Sequence, residues 1–540
     1  MAIQNFRHRY QDSVETALNI GFLINEGNLT NEEVVRLERI KEAWNFYEGF
    51  HWEGIDDLDK PQITTNYCGT FVNKFVAFEF GKSFSIKSNP ALEQATTSET
   101  KLETNKDFNK DGEITDEEFQ EEMQVVPKTV ADFLNDVWDD NDRDILITEI
   151  GQTKSVTGDS WVKVQFEDPE DIDDPFEEYP NGRIRLSVTP TQYVFPTFDN
   201  HDKDKLNELL IMYPIEKRVE TGIIFHRTRV ETAVYKELWT KDEIVVFEGK
   251  AEVDRMPNPY GLIPFVQIKN FPIAGRSHGV GDIDDLIPLN VEYNLKRSDV
   301  SEIIDYHSAP ITIVYGAKIG NLEKGANKVW GGLPKDAKVD NLKLEGDLVA
   351  SANYLSDLKT SMCEVGSVPE TVLGGASAIS NTSGVALQYI NLPLIERTRV
   401  KRLSTQKGLA KVNKLIIFIA LKEGLIEKPE DIEMRNFLFN EVTLPDTLPK
   451  DELLELQQIQ IEMTLGMECR HGAMERMGKD DIQNKINEID AERSKHPELF
   501  NPMLQQILFQ SRLNSGMTNG QTPVEQVRTE ITGQNGGGTL

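Results

Sequence analysis

The chain has 540 residues, 39% of them hydrophobic and 27% charged, which is enough apolar material for a large core in about three or four domains, or in one core with insertions. Lys and Arg number 58 against 90 Asp and Glu, a formal net charge of −32. Such acidity excludes a protein that wraps nucleic acid through clustered cations.

Thr30 and Glu33 form a capping box ahead of Val34, Leu37, Ile40, Trp44 and Tyr47 at helical spacing, and residues 1 to about 50 read as helical. Residues 63–90 open as an apolar helix (Phe71, Val72, Phe75, Val76, Phe78), stop at Gly81 and end in a short strand at Phe84 and Ile86. Residues 91–125 are polar, acidic and read as an insertion. An amphipathic helix is expected over 128–150 and a strand over 160–166. The stretch 167–178 is an acidic, Pro-broken loop, and 183–268 a run of strands and turns, so the class is α+β. A long helix follows over 282–307, with Pro288 as a kink or late start. Then come a β-rich island at 309–347, a helix from 348 to 366 and a small-residue loop, GGASAISNTSG, at 374–384. The longest helical pattern, 385–423, is interrupted by Pro393. A helical block at 449–513 precedes a Gly/Asn/Gln/Thr-rich tail that reads as disordered.

Cys68, Cys363 and Cys469 are odd in number and far apart, so neither a disulfide framework nor a CxxC zinc site is expected, and the compartment is reducing. The N-terminal residues lack the apolar core of a secretion signal, and no apolar run nears the roughly 18 residues of a membrane span, so no membrane partner is expected. Gly81-Lys82-Ser83 ends like a phosphate loop, but Val76 stands where its first Gly belongs. GRSHG at 275–279 matches a nucleophile-elbow string, yet Phe271-Pro272 breaks the strand that must lead into it, and a glycine-rich joint is the simpler reading. No metal-protease spacing or convergent catalytic set emerges, so no enzyme is expected.

DFNKDGEITDEEF (107–119) fits the twelve-residue calcium loop position by position. Asp107, Asn109 and Asp111 supply side-chain oxygens, and Gly112 permits the turn. Glu113 offers its carbonyl, Thr115 the water-mediated position, and Glu118 a bidentate carboxylate. Hard oxygen donors at this spacing suit a structural Ca²⁺, with an exit helix carrying Phe119 and Met123 on one face. A merely acidic, solvated loop is the alternative. Residues 395–414 carry seven cations and one Glu. They read as a solvated face or an ion-pair surface between subunits, with direct DNA contact as the other possibility.

Three stretches in this order, IPFVQIKNFPIAGRSHGVGDIDDLIPLNVEYNLKRSD (263–299), YLSDLKTSMCEVGSVPETVLGGASAISNTSGVALQYINLPL (354–394) and LPKDELLELQQIQIEMTLGMECRHGAMERMG (448–478), resemble portal proteins of tailed double-stranded DNA bacteriophages, especially long-tailed phages of Gram-positive hosts. The resemblance covers about 35–495. It implies an α+β ring subunit with an N-terminal arm and wing at 1–270, holding an EF-hand-like insertion at about 98–125. Stem helix 1 would be 271–308, the clip 309–347, stem helix 2 348–373 and the tunnel loop 374–391, where Ser377, Ser380, Asn381, Thr382 and Ser383 would face the channel. A long wing helix at 392–447, a crown at 448–514 and a disordered tail at 515–540 complete it. The function implied is a homo-oligomeric ring of about twelve subunits at the capsid portal vertex, assembled in the host cytoplasm, through which DNA is packaged and ejected. Implied partners are phage double-stranded DNA, terminase, the head–tail adaptor, and the major capsid and scaffolding proteins. A calcium-binding structural or regulatory protein, and another ring-forming head–tail connector component, are the alternatives.

Overall fold

The computed structural model describes residues 19–25, 29–53, 61–81, 83–88, 96–103, 121–170, 172, 179–202, 205–221, 227–308, 312–315, 336, 338–341, 348–374, 384–445, 452–477, 485–486 and 488–490. The chain divides into two units, Met1–Leu448 and Pro449–Leu540.

In the first unit, helix α1 (Asn31–Glu48) starts at the expected capping box and stops at Gly49, whose φ of 97° only glycine adopts easily. Helix α2 (Tyr67–Phe80) buries Phe71, Val72, Phe75, Val76, Glu79 and Phe80 in the core and leaves Thr70, Asn73 and Ala77 exposed along one face. Strand β1 (Ser85–Ser88) follows and then a hairpin, β2 (Thr96–Glu103) with β3 (Glu121–Lys128), in register from Thr96↔Lys128 to Glu103↔Glu121. Residues 121–128 are therefore strand and not the expected exit helix; Val125, Val126 and Pro127 disfavour helix there.

The single helix expected over 128–150 is two, α3 (Val130–Asp140) and α4 (Arg143–Thr157). The break is tertiary in origin. Asn141 donates to the carbonyls of Val137 (2.7 Å) and Ile184 (2.9 Å) and accepts from the Leu186 amide (2.8 Å), which anchors the turn to a neighbouring strand. Asp142 then takes a φ of 52°.

Two antiparallel sheets follow. β4 (Asp159–Glu167) is central in a three-stranded sheet with β5 (Arg183–Thr189) on one side and β11 (Phe265–Lys269) on the other. Strands β6 (Val194–Phe198), β7 (Leu206–Thr221), β8 (Arg227–Trp239), β9 (Glu243–Glu248) and β10 (Ala251–Pro257) form a five-stranded meander in chain order. These match the strand runs read between 183 and 268.

The GRSHG segment is not an elbow. Ser277 lies in a loop closed by an antiparallel bridge between Phe271 and Val280. Gly279 presses on the Gly158 backbone, and a Cβ there would come within 2.4 Å of the Gly158 carbonyl oxygen. Its amide donates to Asp159 Oδ1 (2.8 Å), and His278 Nδ1 sits 2.6 Å from Asp159 Oδ2. The glycine is required for close approach at a joint.

The rest of the unit is built on long helices. α5 (Ile287–Ser308) begins five residues later than the expected 282, with Pro288 in its first turn, where the missing N–H costs nothing. β12 (Thr312–Tyr315) pairs antiparallel with β13 (Lys338–Asn341), and α6 (Leu348–Gly366) returns against α5. α7 (Gly384–Lys422) has 39 residues, roughly 60 Å, with Pro393 inside it. The helix thus starts within a residue of the 385 expected from the helical pattern, and residues 384–391, which the resemblance assigned to the tunnel loop, are helical. A short α8 (Met434–Phe437) precedes β14 (Asn440–Thr443), which pairs with β1. Phe71, Phe75, Trp138, Val162, Ile268, Leu409 and Ile416 belong to one core joining α2, α3, the three-stranded sheet and α7. Gly408 lets α7 close on β11, since a Cβ there would meet Ile268 at 2.7 Å.

In the second unit, α9 (Glu452–Thr464) turns at Gly466 into α10 (Arg470–Arg476). Arg476 Nη1 pairs with Glu462 and lies 3.6 Å from Glu468 Oε2, tying the two helices together.

Candidate functional site: the long-helix frame

Two buried polar constructions fix α5 and α7 in the first unit. The first is a ladder on α5. Asn290, Asn294 and Ser298, one turn apart, are all buried. They grip the extended segment before α2. Asn290 Nδ2 donates to the Thr65 carbonyl (2.9 Å), and its Oδ1 accepts from the Tyr67 (3.1 Å) and Cys68 (3.2 Å) amides. Those amides belong to the first turn of α2, which has no intrahelical acceptor for them. Asn294 Oδ1 accepts from the Thr65 amide (2.9 Å), and Ser298 Oγ from the Ile63 amide (3.2 Å). Asn294 Nδ2 lies 2.6 Å from His51 Nδ1, and His51 Nε2 lies 3.0 Å from the Phe46 carbonyl. This pairing suits a neutral ring protonated at Nε2; burial pushes the His51 pKa down, partly offset by the Phe46 carbonyl.

The second is an ionic knot. Glu79 on α2, Lys154 on α4, Asp282 in the approach to α5 and Lys401 on α7 are all fully buried or nearly so. Lys154 Nζ pairs with Glu79 Oε1 and donates to Thr405 Oγ1 (2.6 Å). Lys401 Nζ donates to Asp282 Oδ2 (2.7 Å) and Ser155 Oγ (3.1 Å), and lies 3.4 Å from Glu79 Oε2. Arg397 Nη2 reaches Asp282 Oδ1 at 3.1 Å while its guanidinium stacks 4.9 Å from the Phe75 ring. Asn270 Nδ2 donates to Asp282 Oδ2 (3.1 Å).

Burial alone would raise both carboxyls. Lys154 and Lys401 overcome it at Glu79, and Lys401 and Arg397 at Asp282, so both are held below their ordinary values. Burial pushes the Lys154 ammonium down to about 8 although Glu79 opposes the shift.

The cationic stretch 395–414 is therefore not uniformly a solvated face. Arg397 and Lys401 turn inward, and Arg402 Nη2 donates to the carbonyls of Leu444 (2.7 Å) and Pro445. Arg399, Lys407, Lys411 and Lys414 are exposed. Tyr389, Leu392, Val400 and Leu403, between 44% and 73% exposed, share one face of α7. The signal that could have revealed the knot is a lone Glu79 in the apolar run of α2, since a buried acid requires a buried cation.

Asp107, Asn109, Asp111, Glu113, Thr115 and Glu118 lie outside the described residues, as do Ser377, Ser380, Asn381, Thr382 and Ser383. Among the described residues no cluster of metal-ligating side chains occurs, and no helix is long and apolar enough to cross a membrane.

The fold is of the α+β class, consistent with a phage portal protein, and the family model of SPP1 Gp6-like phage portal proteins matches residues 27–498. The chain belongs to that family, over slightly more of its length than the resemblance in sequence covered. No curated protein sequence matches it. Nothing favours the alternatives of a calcium-regulated protein or another connector component.

Because Glu79 and Asp282 are held low, their stabilising contribution is present above the unfolded values of 4.5 and 3.8 and is lost as pH falls through the folded ones. Lys154 acts oppositely: its burial cost is present below about 8 and fades as pH rises toward 10.5. Glu79→Gln is expected to lower unfolding stability by about 3–5 kcal/mol at neutral pH and to flatten the loss that sets in only as pH falls below about 4.5. Urea unfolding from neutral pH down through that region checks both effects.

Proposed function

We propose that about twelve copies of this chain close into a ring at the capsid portal vertex, with an axial channel through which phage DNA is packaged and ejected. The observation that carries this reading is the family match over 27–498, joined to the helix–β pair–helix–long helix order. In this reading α5 and α6 are the stem, and the clip at 309–347, which holds β12 and β13, is where terminase docks and later the head–tail adaptor. The body at 1–270, with the long helix region at 392–447, is the wing facing major capsid and scaffolding proteins, and 448–514 is the crown. The segment between α6 and α7, including Ser377, Ser380, Asn381, Thr382 and Ser383, lines the channel as the tunnel loop. Its small side chains offer no cation to grip a phosphate. The role is structural rather than enzymatic.

Electrostatics supports the reading. A charge of −32 per subunit, multiplied around a ring, gives a wall that repels the duplex and lets it slide. Neighbouring subunits would cover the apolar stripe on α7.

Calcium fits the same reading as a local clip. The β2–β3 register pairs Glu103 with Glu121, the described residues that flank the segment holding the 107–118 motif. Asp107, Asp111 and Glu118 repel one another until a cation sits among them.

Native mass measurement is expected to give a ring near twelve times the 61.2 kDa subunit, with a central hole of roughly 20 Å or more by electron microscopy. Val400→Glu combined with Leu403→Glu is expected to shift the mass to free subunits while circular dichroism stays unchanged. A monomeric parent chain contradicts the proposal.

Calorimetry of the ring with calcium is expected to show binding at or below millimolar ion, weakened at least tenfold by Glu118→Gln, with the ring surviving chelation. Absence of calcium heat, with Glu118→Gln indistinguishable from the parent, reduces the loop to solvated acid.

A further inference from the structure

The second unit holds an open apolar groove between α9 and α10. Its volume is about 720 Å³, and Leu456, Ile459, Met463, Ala473 and Met477 line it, with Arg470 at the rim. Ile459 and Ala473 form a buried floor, whereas Leu456, Met463 and Met477 remain 44%, 40% and 41% exposed. Flexible thioethers around a buried floor conform readily to an apolar partner. Among the described residues only this short helix pair lines the face.

We infer that the groove is the seat of this chain's own residues 500–508, docked in cis as an amphipathic helix. The first support is the path of the chain. Asp490 Oδ1 lies 2.9 Å from Arg470 Nη1, so the polypeptide passes the groove rim ten residues before Phe500. The second is the pattern. Phe500, Met503, Leu504, Ile507 and Leu508 fall at i, i+3, i+4, i+7 and i+8, one stripe of a helix, with Gln505 and Gln506 opposite. Asn501 and Pro502 offer a helix cap and a first-turn proline ahead of Met503, which leaves Phe500 as the apolar residue just before the cap.

The third support is fit. The lining positions 456–463 of α9 extend roughly 10 Å along the helix, about the length of the 500–508 stripe. The nine residues from 491 to 499 can span about 30 Å, ample to place that stripe in the groove. Anchoring at 490 also gives the segment an effective concentration of order millimolar, which favours the cis occupant over a second copy. The segment begins just past residue 498, where the family match ends.

Hydrogen exchange on the full chain tests this. Leu504→Glu combined with Ile507→Glu is expected to accelerate exchange across 452–477 by about tenfold or more, with Tyr67–Phe80 unchanged as the internal control for folding. Gln505→Glu with Gln506→Glu, on the opposite face, is expected to change nothing. Should the apolar-face pair also disturb Tyr67–Phe80, Leu504→Ala alone is read, with a smaller acceleration expected over the same 452–477 window. Unchanged exchange there in the apolar-face variants overturns the inference. So does protection in the parent chain that disappears when the ring is diluted into subunits, since the occupant would then belong to a neighbouring copy.

Discussion

Four buried charges decide how the long helices of this portal subunit are mounted. Glu79, Lys154, Asp282 and Lys401 come from four different parts of the chain and are shielded from water. Each would cost several kcal/mol to bury alone. Together they are tolerable only when every partner is in place, because moving one element strands the charges of the others. Such pairs add little net stability over well-packed apolar residues, but they penalise every other register of α7 against α2 and α4. A helix of 39 residues with Pro393 inside it has many ways to slide, and the knot singles out one.

Helix α2 connects this knot to the α5 ladder. At its N-terminus the amides of Tyr67 and Cys68 donate to Asn290, and near its C-terminus Glu79 enters the knot. The segment from Asp282 to Ser298 contributes to both: Asp282 to the knot, and Asn290, Asn294 and Ser298 to the ladder. α5 and α7 are thus referenced to the same buried strut. Hydrogen bonds and ion pairs link Arg397, Lys401 and Thr405 of α7, through α2, to the ladder on α5.

What could be read in the sequence follows from where each structural cause lies. The capping box at Thr30, the strand at 159–167 and the helix at Leu348–Gly366 have local causes, in caps, alternation and apolar spacing, and they were legible. The α3–α4 break was not, because Asn141 makes the turn through bonds to a strand more than 40 residues later. Lys401 and Arg397 read as surface charge for the same reason: their partners, Asp282 and Glu79, are distant in sequence. The ladder carried a faint signal, three small polar residues one turn apart on α5, but only the segment they bind distinguishes a buried stripe from a solvated one. The family itself was legible from the order of elements, which survives errors in the bounds of any one of them.

The most direct measurement is a double-mutant cycle on Asp282 and Lys401, read by urea unfolding of the subunit. Asp282→Leu and Lys401→Met alone should each cost about 3–5 kcal/mol, since each leaves a buried charge behind. If the knot holds α7 as described, the double variant recovers at least about 2 kcal/mol of the summed loss. Strict additivity of the two single effects would contradict it.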